Sequence, residues 1–260
     1  MNKETITPVE NEQADVQTNP TQDKVAETAI ANTESKPPVN AAQNTTYIAE
    51  VLANMMNDFI QVNDGMDIDF VYMGQWLVTD KKGNFVERDD PNVSYGDSID
   101  VVVGQGEKRW SLWGLQNSPE DGQLIVACRE KEEAVTQLTA WLAEHPEAAE
   151  RYSVDDLELR YMAFVVPVNA IAESLNDPDV LPRVYIMSFA PTTTISWGRY
   201  AFNIYNGKYK AVGVKARTPV SGVITRMTTK EFKSKTDASV SWLGIEFEAM
   251  GMFNPDDFRK

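Results

Sequence analysis

SWGRYAFNIYNGKYKAVGVKAR, residues 196–217, is the stretch on which the reading of this chain turns. It holds five cations, five aromatic rings and no acid, inside a protein whose formal net charge is -15. Asn206-Gly207 is the favoured dipeptide of a tight type I′ turn, and Tyr200, Phe202 and Ile204 alternate before it. This pattern predicts a β-hairpin. Phe202 and Ile204 then point into a core, while Tyr205 and Tyr209 flank the turn and face solvent. Trp197, beside Gly198 and Arg199, is a third ring expected near the surface.

Working outward, residues 183–235 contain ten Lys or Arg and one acid, Glu231. Residues 183–260 are net +6, and residues 1–182 are net -21. An asymmetry of this size points to a basic surface that meets a polyanion. Rings interleaved with cations suit single-stranded nucleic acid, because cations track phosphates while rings stack on bases. Arg199, Lys208, Lys210, Lys215 and Arg217 are the expected phosphate contacts. Trp197, Tyr205 and Tyr209 are the expected stacking partners.

The rest of the chain frames this segment. Residues 1–45 are rich in Thr, Asn, Gln, Glu, Ala and Pro and lack aromatics before Tyr47, which predicts a disordered acidic tail. Residues 46–182 read as an acidic α+β region and 183–260 as a basic, aromatic-rich β region, either separate or as one domain over 46–260. Ile48, Val51, Leu52, Met55, Met56 and Phe59 recur at helical spacing, as do Ala134, Val135, Leu138, Trp141 and Leu142. DIDFVYMGQWLVTD, FVER, SIDVVVG, RWSLWGL, QLIVACRE, LELRYMAFVVPV, PRVYIMSFA, VSGVITRM and ASVSWLGIEFEAMGMF read as strands, with a turn at DKKGN. In DIDFVYM, Ile68, Phe70 and Tyr72 alternate. The expected fold is α+β and mostly β: a strongly twisted antiparallel sheet or small OB-like barrel with two or three helices.

A curved sheet bearing cations and rings follows the logic of the oligonucleotide-binding fold. Through YNGKYK and its charged neighbours, residues 183–235 resemble phage-type single-stranded-DNA-binding and replication accessory proteins. The resemblance implies a role in DNA replication or recombination, in the host cytoplasm if the protein is phage-encoded. The chain departs from that pattern at FNPDDFRK, where Asp256, Asp257 and Phe258 are followed by Arg259 and Lys260 instead of a clear acidic tail.

Other chemistries find less support. Cys128 is the only cysteine and His145 the only histidine, too few for a zinc site of the usual composition or for Ser-His-Asp catalysis. Cys128 lies in an apolar run and reads as a small buried hydrophobe, and His145 reads as a helix C-terminal residue. Asp64, Asp67 and Asp69 lack the order of a calcium loop. Asp155 and Asp156 read as a turn or helix start. GQGEK, residues 104–108, lacks the spacing of a phosphate loop and leads into a strand. The expectation is a non-enzymatic protein without cofactor or metal.

No apolar run approaches the length of a membrane span, and the N-terminus lacks a signal-peptide pattern, so a cytoplasmic location is expected. The expected partner is single-stranded DNA or RNA, with a protein partner for the acidic region. The main alternative is a virion or complex assembly protein whose opposite-charge patches associate head to tail, giving a homo-oligomer. An acidic DNA mimic built on residues 1–182 fits less well with the apolar strands there.

Overall fold

The computed structural model describes residues 43–62, 69, 71, 74–177, 179–233, 239 and 241–260. The expected tail before residue 43, the acids Asp64 and Asp67, and the alternation of Ile68, Phe70 and Tyr72 lie outside these residues. The chain is α+β and mostly strands. Helix α1 is Gln43–Val62, followed by strands β1 (Gln75–Thr79), β2 (Phe85–Glu87), β3 (Ser94–Gly96), β4 (Ser98–Trp113) and β5 (Leu124–Cys128). Then come α2 (Lys131–Glu144), β6 (Glu158–Pro167), α3 (Val168–Asn176), β7 (Tyr185–Phe189), α4 (Pro191–Tyr205), β8 (Val223–Lys233) and β9 (Ser241–Met252).

The strands form one nine-stranded sheet in the order β3-β2-β1-β7-β6-β4-β8-β9, with β5 also paired to β4. Every pair is antiparallel except β1 with β7. SIDVVVG and RWSLW, separate in the sequence reading, are two halves of the single strand β4. Its register with β6 shifts between Val103 and Gly106, a bulge that adds local twist.

The sheet curls into a half-barrel. β3 and β4 lie far apart in strand order, yet only Asp97 separates them in sequence. The β1–β2 turn reaches across to β8, where Thr229 Oγ1 donates to the Gly83 carbonyl at 2.7 Å. Gly83 has φ +88, and a Cβ there would stand 2.9 Å from that hydroxyl, so the close approach requires glycine. β7 and β8 come from the basic part and β4 and β6 from the acidic part, so the two parts share one sheet.

The inner side gathers Leu77, Val101, Val165, Tyr185, Phe189 and Met227 into the largest core cluster, which α4 covers with Trp197, Tyr200 and Ile204. On the outer side, Ile48 and Leu52 of α1 and Ile171 of α3 pack on Val102 and Val166. Helix α2 buries Ala134 and Leu138 against Val126 and Cys128 of β5. The stripes expected for α1 and α2 thus contain the residues that meet the sheet, although Met56 is exposed.

Candidate nucleic-acid interface

The structure corrects the hairpin reading of residues 196–217. Pro191–Tyr205 is an α-helix, and no strand flanks Asn206-Gly207. Pro191 occupies the first helical turn, where its missing N–H costs nothing and its fixed φ suits the helix. At the other end, Gly207 has φ +71, its N–H donates to the Ile204 carbonyl at 2.8 Å, and the Lys208 N–H donates to the Asn203 carbonyl at 3.0 Å. These two bonds make a Schellman cap. The left-handed conformation that suggested a type I′ turn therefore ends a helix instead.

Helical geometry also reassigns the rings. Thr193, Trp197, Tyr200 and Ile204 form the buried side, a spacing of three to four residues. Phe202, expected in the core, is 64% exposed, because it lies between two buried positions on a helix instead of alternating on a strand. Trp197, expected near the surface, is only 5% exposed. Its ring centroid stands 5.2 Å from Phe247, 5.6 Å from Phe189 and 5.6 Å from Tyr200. No base can reach either face of that indole. Tyr200 shares a 2.8 Å hydrogen bond with Thr225 Oγ1, and burial pushes its phenol well above the ordinary value.

Residues 206–217 fold back over the C-terminal end of α4. The Val214 N–H donates to the Tyr209 carbonyl at 3.2 Å, and the Arg217 N–H to the Tyr205 carbonyl at 2.9 Å. Val214 is buried, and a short 3-10 turn spans Lys210–Val212. Tyr209 is half-buried, with its ring 5.6 Å from Tyr200. Tyr205 remains 54% exposed.

All five expected phosphate contacts, Arg199, Lys208, Lys210, Lys215 and Arg217, are exposed. Among the described residues none of them makes an ion pair. Several arginines elsewhere do, although among the described residues lysines such as Lys81, Lys82 and Lys108 do not. Arg109 bonds Asp69 at 2.6 Å and also Glu107, Arg151 bonds Glu120 at 2.8 Å, and Arg226 grips Asp100 at 2.7 and 2.8 Å. The exposed side of α4 thus presents Ile195, Arg199, Phe202 and Tyr205, and the following loop adds four cations. Ile195 and Phe202 were missed in the sequence because a strand was assumed. Pro191 and Gly207, read together as the two ends of a helix, carry the signal that finds them.

The other singled-out residues take structural places. Cys128 is buried, and that burial pushes its thiol pKa up. His145 caps α2, its Nδ1 2.9 Å from the Trp141 carbonyl and its ring stacked on the Trp141 indole. Asp156 closes a capping box with Ser153 at the start of a 3-10 turn. Residues 104–108 run through the middle of β4. No helix among the described residues is long and apolar enough to cross a membrane. No protein-family model, curated protein or solved structure matches the chain.

Proposed function

We propose that the chain is a non-enzymatic single-stranded-nucleic-acid-binding accessory protein, whose surface is the exposed side of α4 with residues 206–217. One observation carries this reading: five exposed cations, without a carboxylate partner among the described residues, share a segment with the exposed rings of Phe202 and Tyr205. Cations left unpaired by their own protein are available to phosphates, and rings at the surface are available to bases. Trp197 has no part in this surface. Tyr209, half-buried beside Tyr200, is a lesser contributor than Tyr205. The contacts come from a helix and its capping loop, not from the strands of an oligonucleotide-binding barrel.

The test is fluorescence anisotropy of a labelled oligo-dT at low and near-physiological salt. Saturable binding is expected, stronger than for a duplex of the same length. For the double variant Lys208→Ala/Lys210→Ala, the slope of log affinity against log salt should fall by about 1.4, or about 0.7 for each phosphate no longer neutralised. Absence of binding at low salt in the folded protein overturns the reading.

A second reading is favoured by Ile195, which is 56% exposed and has no role toward a nucleic acid. With Phe202 it gives α4 an apolar stripe that suits assembly through this face. That reading predicts a concentration-dependent oligomer, seen by sedimentation velocity, that Ile195→Lys abolishes.

A further inference from the structure

Asn206-Gly207 ends α4, and the same pair carries a reactivity that the cap holds in check. It is the one Asn-Gly sequence in the chain. Asparagine is thermolabile, and most so before glycine, whose backbone nitrogen reaches the preceding side-chain amide with no Cβ in the way. Asn206 is exposed, and its side-chain amide makes no hydrogen bond among the described residues. The electrophile is therefore free.

The nucleophile is not. The Gly207 N–H donates to the Ile204 carbonyl at 2.8 Å, and the Lys208 N–H holds the Asn203 carbonyl at 3.0 Å. While these two bonds stand, the Gly207 nitrogen keeps its proton. They are also the last bonds of the helix, with Asn206 and Lys208 exposed on either side of Gly207. Helix ends open locally at small free-energy cost, so the bonds slow an attack without forbidding it. Once the cap opens, the surroundings favour the reaction. Residues 196–217 hold five cations and no acid, and the Arg217 N–H donates to the Tyr205 carbonyl at 2.9 Å, which brings that residue's backbone beside the pair. Positive charge nearby favours both a deprotonated amide nitrogen and a carboxylate product.

We propose that Asn206 is a spontaneous deamidation site gated by the C-terminal cap of α4. The deprotonated Gly207 nitrogen attacks Asn206 Cγ. A C–N bond forms, the Cγ–Nδ2 bond breaks, and Nδ2 leaves as ammonia after taking back from solvent the proton that Gly207 gave up. Water then opens the succinimide at either carbonyl, to aspartate or to isoaspartate. The sum converts one amide and one water to one carboxylate and one ammonium ion, with no change of oxidation state. Either product places a carboxylate in a segment that has none, and isoaspartate also lengthens the backbone by one carbon, which takes the cap bonds out of register. The basic surface thus loses net positive charge as the protein ages. The chemistry does not depend on what that surface binds, whereas its effect on nucleic-acid affinity rests on the proposed function.

The test incubates the folded full-length chain at mildly alkaline pH in heavy-oxygen water and reads its peptides by mass spectrometry. The isotope separates conversion during incubation from conversion during handling. Asn206 should convert, while Asn203, half-buried and followed by the β-branched Ile204, stays intact. In urea beyond the unfolding midpoint Asn206 should convert about 5- to 150-fold faster, the range set by two hydrogen bonds of ordinary strength. Asn206→Gln should carry no conversion at this position. Aged protein should bind oligo-dT about threefold or more weakly than fresh protein at low salt, and aged Asn206→Gln should match its own fresh sample. Two results overturn the proposal. One is Asn206 intact in the folded chain after about 150 half-lives of the unfolded reaction, a delay beyond what the cap bonds impose. The other is a folded rate within about fivefold of the unfolded one, which removes the gate. Conversion with no change in oligo-dT affinity leaves the deamidation site standing and counts against the nucleic-acid surface instead.

Discussion

The two sides of α4 are built from similar residues and have different uses. On the inner side, Trp197 and Tyr200 touch Phe189, Phe247, Tyr209 and Thr225, and both rings are buried. On the outer side, Phe202 and Tyr205 stand in solvent beside Arg199. The charges divide in the same way. Arg109, Arg151 and Arg226 are held by carboxylates of the acidic part, whereas the five cations of residues 199–217 are not paired among the described residues. An aromatic or a cation is thus a structural element where its neighbours are protein and a candidate binding element where they are water.

The largest expected effect tests the inner side. Trp197→Ala removes the ring at the centre of the aromatic cluster and should cost about 3–5 kcal/mol, read from the urea midpoint. A loss under about 1 kcal/mol would mean that α4 is not packed as described, since core truncations of this size cost several times that. The outer side should behave in the opposite way. Phe202→Ala and Tyr205→Ala should each weaken oligo-dT binding by about 1–3 kcal/mol. Their folding stability should stay within about 0.5 kcal/mol of the parent. Unchanged affinity in both would leave the cations without stacking partners and favour assembly.

The helix end between the two sides is tested by Gly207→Ala. At φ +71 a Cβ would stand 3.0 Å from Ala216 Cβ, and the left-handed strain should cost about 1–2 kcal/mol. If the substitution stabilises the protein, the cap is absent.

The smallest effect concerns a paired charge. Burial acts to raise the Glu120 pKa, but hydrogen bonds from Ser118, Tyr152 and Arg151 more than offset it and hold the carboxyl below the usual range. A carboxyl depressed in the folded state adds stability at neutral pH that disappears as pH falls through its folded pKa. Glu120→Gln should therefore lower the neutral-pH urea midpoint and make its decline into acid shallower. A decline parallel to the parent's would remove Glu120 from the acid response.

Much of the fold was legible. Apolar, strand-like runs bounded by turn residues marked β1, β5, β6, β7, β8 and β9, and the apolar stripes of α1 and α2 named their buried residues. Local pattern was sufficient there because each segment fitted only one element type. Residues 193–205 fitted two. Tyr200, Phe202 and Ile204 alternate as in a strand, and Thr193, Trp197, Tyr200 and Ile204 recur as in a helix. An Asn-Gly pair serves a type I′ turn and a helix cap equally, since both need a left-handed residue. The candidate site was half legible for the same reason: its cations were named, but two of its three rings were not where the strand placed them.

The sequence alone determined the charge asymmetry, the single cysteine and histidine, and the composition of the basic aromatic segment, because these depend only on which residues are present. Tertiary structure decided that the segment is a helix lying on the open side of a curled sheet. Burying Trp197, Tyr200 and Ile204 there closes the largest core cluster among the described residues, and that gain outweighs the weak preference of two residues for a hairpin.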